Sequence, residues 1–193
     1  MIHNHNVKII AFVGLTGSGK STAANYISNK NYPKVYFGNV ILEKMKDQNI
    51  EINDESKRAF REDIRSKEGK DFVAKAVSKQ IHDLIEAGQH RIVADGLYSW
   101  TEYKYLKHEF SGKLTVVAIV TSKKLRHQRL MNRPIQSLSQ FEADQRDWLE
   151  IENLEKGGPI AIADHYLMND NDLDNLYNQI DKLLIEIDFS TRF

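Results

Sequence analysis

The stretch Gly14-Leu15-Thr16-Gly17-Ser18-Gly19-Lys20-Ser21 has its glycines, lysine and serine at the spacing G-x-x-x-x-G-K-[ST]. Each residue type does something definite to a polyphosphate. Glycines let the backbone turn tightly with its N–H groups inward. Lys20 has the length to reach β- and γ-phosphates, and the Ser21 hydroxyl is a ligand for Mg²⁺. A helix beginning near Gly19 points its positive end at the same anion. Thr16, Gly17, Ser18 and Thr22 lie in the loop or its first helical turn, so they join the candidate phosphate ligands. The pattern predicts a nucleoside triphosphate with Mg²⁺ and leaves open what becomes of the phosphate.

Asp95 is the second candidate. It ends the run Arg91-Ile92-Val93-Ala94, which reads as a strand, so it belongs at the carboxyl edge of a sheet beside the loop. A carboxylate there holds Mg²⁺ through water or accepts the proton of an attacking hydroxyl. Its plainer role would be to cap the next turn. Gly96 beside it would let a substrate approach the backbone closely.

Elements that alternate along the chain must position these groups. Val7–Val13 reads as a strand before the loop, and Gly19–Asn29 as a helix after it. Lys34–Phe37 reads as a second strand, followed by helices over Gly38–Gln48, Glu55–Lys67 and Asp71–Ala87. The last carries Val73, Val77, Ile81, Leu84 and Ile85 at helical spacing. Arg91–Gly96 is strand three, and Ser99-Trp100-Thr101-Glu102 is a capping box opening a helix to Phe110. Leu114–Val120 is apolar without alternation, as in a strand buried on both faces. Helices over Lys123–Asn132 and Phe141–Glu155 follow. Gly157-Gly158-Pro159 is expected to break the chain before a fifth strand, Asp164–Met168, and a closing amphipathic helix. Strands alternating with helices predict an α/β fold with a parallel sheet, in one domain spanning residues 1–193.

Composition narrows the class. Lys plus Arg equal Asp plus Glu at 27 each, so the net charge is zero and no basic run is present. That argues against a protein whose task is neutralising nucleic-acid phosphates. Without cysteine there is no disulfide and no thiolate metal site. No apolar run reaches the roughly 18 residues of a membrane span, and the first residues do not resemble a signal peptide, so a cytoplasmic protein is expected. His3 and His5 are expected to be solvated rather than metal-binding. Nothing in the residue pattern favours a monomer over a homodimer.

Beyond the loop, Gln128-Arg129-Leu130-x-x-Arg133 resembles the start of the lid of dephospho-coenzyme A kinases. Ala163-Asp164-x-x-Leu167-x-Asn169 is similar to their segment near the nucleotide base. Asp95-Gly96-Leu97 resembles the D-G-[FI] turn of adenylate kinases, and Phe37-Gly38-Asn39-Val40-Ile41 the opening of their monophosphate-binding region. Over about Lys8–Ile187 the chain resembles uncharacterised archaeal-type proteins related to both families. The resemblance implies a P-loop kinase of the nucleoside-monophosphate-kinase type. Its fold would be three-layered with strand order 2-3-1-4-5, a helical acceptor region over about residues 38–88 and a small helical lid over about 126–150. ATP·Mg²⁺ would donate the phosphoryl group. Asn169 would lie near the base and Asn39 in the acceptor region.

Two departures concern the acceptor. Adenylate kinases carry an arginine where this chain has Leu42, and another where it has Ser99. Dephospho-coenzyme A kinases carry a D-A-D segment after strand two, where Tyr36-Phe37-Gly38-Asn39 stands here. Two arginine groups are candidates to supply the missing charge. Arg58, Arg61 and Arg65 fall on one face of a helix in the acceptor region, either as a clamp or as partners of Glu55, Glu62, Asp63 and Glu68. Arg126, Arg129, Arg133 and Arg146 belong to the lid helices. Arg129 and Arg133 are expected to hold nucleotide phosphates, and Arg146 either to join them or to pair with Asp144, Asp147 or Glu150. Trp100, Tyr103 and Tyr105 would stack on an acceptor ring or simply pack, and Trp148 is expected to pack in the core or lid.

The expected activity is transfer from ATP·Mg²⁺ to a nucleotide-like small molecule, a nucleoside or deoxynucleoside monophosphate ahead of dephospho-coenzyme A. Two other classes remain. A nucleotide-dependent switch is disfavoured because Asp95 is followed by Gly96 rather than a water-activating glutamate. A kinase acting on nucleic-acid ends is disfavoured by the neutral charge.

Overall fold

The computed structural model describes residues 6–190, apart from the side chains of Asp54, Glu55 and Arg58. His3 and His5 lie outside the described residues. Five parallel strands stand in the order β2-β3-β1-β4-β5, namely β1 Lys8–Val13, β2 Lys34–Tyr36, β3 Arg91–Asp95, β4 Leu114–Val120 and β5 His165–Met168. The central strand is β1, hydrogen-bonded to β3 on one side and β4 on the other.

Alternation along β1 builds two cores. Ile9, Ala11 and Val13 join one apolar cluster, and Ile10 and Phe12 join the other, because successive side chains leave opposite faces of a strand. The first face is covered by α2 (Phe37–Asp47), α3 (Asp54–Glu68), α4 (Phe72–Glu86) and α5 (Trp100–Glu109). The second face is covered by α1 (Lys20–Ser28) and α9 (Leu173–Glu186), through Ala23, Ala24, Ile27, Leu176, Ile180 and Leu183. The result is a helix–sheet–helix sandwich. Helices α6 (Lys123–Met131) and α7 (Gln140–Glu152) follow β4. Capping boxes at Ser99–Glu102 and Ser139–Glu142 start α5 and α7 where the sequence signature puts them.

Helix α7 ends ahead of Gly157-Gly158-Pro159, where the sequence predicts that it breaks, and these residues then open a short further helix, α8 (Gly157–Ala161), which the sequence reading lacked. Proline is tolerated there because first-turn amides have no helical partner to lose. Gly158 is set by packing, since a Cβ on it would stand 2.8 Å from the Trp100 ring. Trp148, expected to be packed, is 56% exposed. Trp100 stacks on Tyr103 at 5.2 Å between ring centroids.

The parallel register brings the functional groups to one edge. Phe12, just before the loop, stands opposite Asp95, and Tyr36 opposite Asp95 on the other side. The loop after β1, the turn after β3 and the start of α2 therefore meet at the carboxyl ends of the strands, where open parallel sheets bind ligands.

Candidate active site

Gly14–Ser21 is shaped for an anion by what the chain leaves unsatisfied. Gly19 is the N-cap of α1 and no side chain caps the helix. The amides of Gly17, Gly19, Lys20, Ser21 and Thr22 make no hydrogen bond among the described residues. Unpaired amides at a helix start form the cradle that takes phosphate oxygens. Gly19 has φ 100°, a left-handed conformation, and a Cβ there would collide with the Asn169 amide. Asn169 in turn donates to the Ser18 carbonyl at 2.8 Å, and the Thr121 hydroxyl donates to the same oxygen at 3.0 Å. Buried Asn169 thus fixes the loop from beneath. Gly19→Ala is expected to weaken ATP binding about tenfold or more, since the strained φ and the collision both distort the cradle. Calorimetric titration with ATP would measure this.

Lys20 is buried and donates to the Leu15 carbonyl at 3.1 Å. Burial, reinforced by the neighbouring Lys156 ammonium, pulls its pKa down to about 7. Ser21 Oγ lies 3.3 Å from Asp95 Oδ1. Burial raises the Asp95 pKa, partly offset by Lys34, the Ser21 hydroxyl and Lys20. A hydroxyl and a carboxylate at this separation form a hard-oxygen pair that fits Mg²⁺. The donor side of the site therefore suits a magnesium polyphosphate.

Arg126, Arg129, Arg133 and Arg146, expected together from the sequence, separate into different environments, Arg133 lying beyond the end of α6. Arg126 is buried, makes a bidentate pair with Asp147 at 2.7 Å for each bond, and donates to the Thr16 carbonyl at 3.1 Å. It anchors the loop. Arg129 donates through Nη2 to the Asn169 carbonyl at 2.9 Å, while its Nη1 is buried without a partner. Arg133 is exposed, and its charge contributes to the depression of the Lys20 pKa. Arg146 reaches Glu150 at 3.3 Å, one of the pairings open to it from the sequence.

From the sequence, Glu150 is one of three acids able to pair with Arg146. Its side chain is 2% exposed. It accepts from the Thr16 amide at 3.0 Å and from the Thr16 hydroxyl. Lys156, just before α8, lies 2.9 Å from Oε2, the oxygen that also accepts from the Thr16 amide, and is itself 1% exposed. Burial would raise the Glu150 pKa, but Lys156, Lys20 and Thr16 outweigh it and hold the carboxyl at about 2. The i,i+4 spacing of Arg146 and Glu150 was legible, whereas the contact with Thr16 crosses 134 residues and leaves no local trace.

A second cleft opens beside the loop. Phe37, Gly38, Arg61, Arg65, Tyr98, Glu102, Arg146 and Glu150 line it, drawn from α2, α3, α5, α7 and the turn after β3. Arg65 lies 3.7 Å from buried Glu102. The Glu102 carboxylate also accepts from the Tyr98 and Ser99 amides, at 2.8 and 3.1 Å. Arg61 makes no ion pair among the described residues. The Arg58 side chain lies outside the described residues. Asn39 is exposed on the first turn of α2. At Gly96 the close neighbour is the Tyr98 hydroxyl, 2.6 Å from where a Cβ would stand.

A parallel sheet of order 2-3-1-4-5, with this glycine-rich loop between its central strand and the next helix, is the fold of the P-loop kinases. The chain belongs to the UPF0200 proteins, and the family model described as an AAA domain matches its residues 10–148. A UPF0200 protein of Sulfurisphaera tokodaii is 33% identical over 184 residues, covering 94% of this chain and 98% of the relative. Among solved structures, a shikimate kinase from Bacteroides thetaiotaomicron superposes with a TM-score of 0.59 at 14% identity, covering 94% of this chain and 98% of that one. A gluconokinase from Sinorhizobium meliloti gives 0.54 at 14% identity, covering 97% and 98%. At such identities the likeness is one of fold. Among the described residues no helix is long and apolar enough to cross a membrane.

Proposed function

We propose that this protein is a cytoplasmic phosphotransferase, a single kinase domain that moves the γ-phosphoryl group of ATP·Mg²⁺ to a nucleoside or deoxynucleoside monophosphate. The observation that carries the reading is the convergence of Arg61, Arg65 and Arg146 on one aromatic-walled cleft beside the phosphate loop. Arginines bind phosphate by directed, charge-assisted hydrogen bonds, and the half-buried Tyr98 ring offers a flat surface to a base. These arginines would replace the two that adenylate kinases carry at the positions of Leu42 and Ser99. Chain-like or uncharged acceptors explain the three cations less well.

The chemistry of the cleft favours an acceptor that brings its own anionic nucleophile. Glu150 is held at a pKa of about 2, too acidic for a general base near neutrality. Glu102 is engaged by two backbone amides and Arg65. A phosphate monoester needs no deprotonation to attack, whereas a hydroxyl acceptor does. When bound, ATP·Mg²⁺ supplies the transferable phosphoryl group. The free amides of Gly17 and of Gly19–Thr22, with the Lys20 ammonium, would hold its β- and γ-phosphates, and Ser21 and Asp95 would hold the metal. Arg129 from α6 and Arg133 from the turn just after it would close over the phosphates. Asn169 would sit beneath the base side of the loop, and Asn39 and Gly96 would border the acceptor. Neutralising the equatorial oxygens of the transferring group from several sides is what a phosphotransferase must do.

A screen of ADP release over nucleosides, nucleoside and deoxynucleoside monophosphates and dephospho-coenzyme A tests the reading. At least one monophosphate is expected to stimulate release. Arg61→Ala and Arg146→Ala are each expected to raise its KM by about tenfold, the loss of one charge-assisted bond. Stimulation by dephospho-coenzyme A alone would move the assignment to that kinase. Release indifferent to every acceptor would make the protein a nucleotide-dependent switch.

A further inference from the structure

Glu150 touches the phosphate loop and lines the neighbouring cleft at the same time. Its ligands are unusual for a carboxylate: a loop amide, a loop hydroxyl, the Arg146 guanidinium and a buried lysine. Every one of them is a group that binds phosphoryl oxygens. Lys156 has no other anionic partner within ion-pair distance among the described residues, and its Nζ makes no directed hydrogen bond. It lies 5.1 Å from the centroid of the Tyr98 ring, and Tyr98 lines the same cleft. A buried ammonium is costly unless something charged needs it.

The position of Thr16 gives this cluster a direction. The uncapped start of α1, Gly19 to Thr22, cradles one end of the polyphosphate chain. Thr16 stands on the other limb of the loop, toward the cleft that Glu150 lines. Lys20, the residue that would reach the terminal phosphate of a triphosphate, feels the Glu150 charge, so that phosphate would lie toward the Thr16 limb. A diphosphate stops short of it.

We propose that Glu150 is a positioning residue that stands in for the transferring phosphoryl group while the cleft is empty. It keeps Thr16, Arg146 and Lys156 neutralised and in place, and it yields them when a terminal phosphate and an anionic acceptor arrive together. The carboxylate therefore opposes a γ-phosphate bound without acceptor and lowers the affinity for a triphosphate relative to a diphosphate. Water meeting a lone triphosphate then finds the phosphate-binding donors still occupied. This rests on assigning the cleft to the acceptor, but the binding consequence does not require knowing the acceptor.

Glu150→Gln tests it, because the amide oxygen still accepts from Thr16 while the charge is lost. By calorimetry with Mg²⁺ and no acceptor, the variant is expected to bind the non-hydrolysable imido analogue of ATP about tenfold tighter than wild type. Its ADP affinity is expected to change less than about threefold, since the repulsion falls with distance. Acceptor-free ATP hydrolysis should rise, and Glu150→Asp should restore the wild-type ratio of the two affinities. A purely structural Glu150 would lower the melting temperature and leave that ratio unchanged, which overturns the proposal. Equal gains for both nucleotides would overturn it too. If instead the affinity ratio shifts as expected but no acceptor in the screen stimulates ADP release, the assignment of the cleft fails while the role of Glu150 stands.

Discussion

Lys20→Met is expected to lower the rate of phosphoryl transfer by about a thousandfold, the scale set by removing one preorganised cation from a phosphoryl-transfer site. Methionine keeps the aliphatic stem in its buried slot, so the loss isolates the charge. The fold should not suffer. Burial and the Lys156 ammonium both disfavour the charged form of Lys20, which is why its pKa is drawn down to about 7. The unfolded chain keeps its lysine protonated up to about pH 10.4. Between pH 7 and that value the unfolded chain binds more protons, so this residue makes stability rise with pH. Below pH 7 the folded protein carries an unfavourable buried charge, and Lys20→Met is expected to melt no lower than wild type there.

Nucleotide binding should reverse that cost. Phosphates beside Lys20 favour the ammonium, so binding near pH 7 is expected to take up about half a proton, the fraction missing from a group with a pKa near the pH of the experiment. Calorimetry in two buffers of different ionisation enthalpy measures the uptake directly. Wild type should show it and Lys20→Met should not. Identical uptake in both proteins would mean that another group titrates and that Lys20 is charged throughout.

The features legible in the sequence were local ones. Gly14–Ser21 is one contiguous pattern whose residues meet the ligand through their own backbone, so spacing was enough. The alternation of apolar strands with capped helices gave the sheet, because each element advertises its own period and its own ends. The resemblance to nucleotide kinases supplied the strand order, which no local period encodes. Spacing failed where the deciding contact is long-range. Arg126 and Arg129 sit on one helix and read alike. Only burial against Asp147 makes the first an anchor, while the second reaches the Asn169 carbonyl. Lys156 stands just before the predicted break at Gly157-Gly158-Pro159 and carries no local signal, yet the fold buries it beside Glu150. Trp148 was expected inside on hydrophobicity alone. Helix α7 instead spends its buried positions on Ala143, Asp147 and Glu150, so its polar face turns inward to the loop and Phe141, Trp148 and Ile151 are left outside.

That inversion makes Asp147 the residue whose loss should cost the fold most. Its side chain accepts two bonds from Arg126 at 2.7 Å and lies 3.0 Å from His127 Nε2. Burial would raise its pKa, but the Arg126 and His127 bonds outweigh it and hold the carboxyl below its usual value. The stabilisation is therefore complete above the unfolded value of about 3.9 and is lost as the pH falls through the lower folded one. Asp147→Ala leaves a buried guanidinium with no counter-charge and is expected to cost about 3–5 kcal/mol. For a chain of this size that corresponds to a fall of about 10 °C in melting temperature. Because Arg126 also grips the Thr16 carbonyl, nucleotide affinity should fall with stability. Replacing both partners by apolar residues, Arg126→Met with Asp147→Leu, removes the unpaired charge and should recover most of the melting temperature. It should not recover the affinity, because methionine cannot donate to Thr16. A double variant as unstable as Asp147→Ala would show that the cost lies in packing rather than in the stranded charge. A double variant that regains both properties would show that the Arg126 bond to Thr16 does not hold the loop.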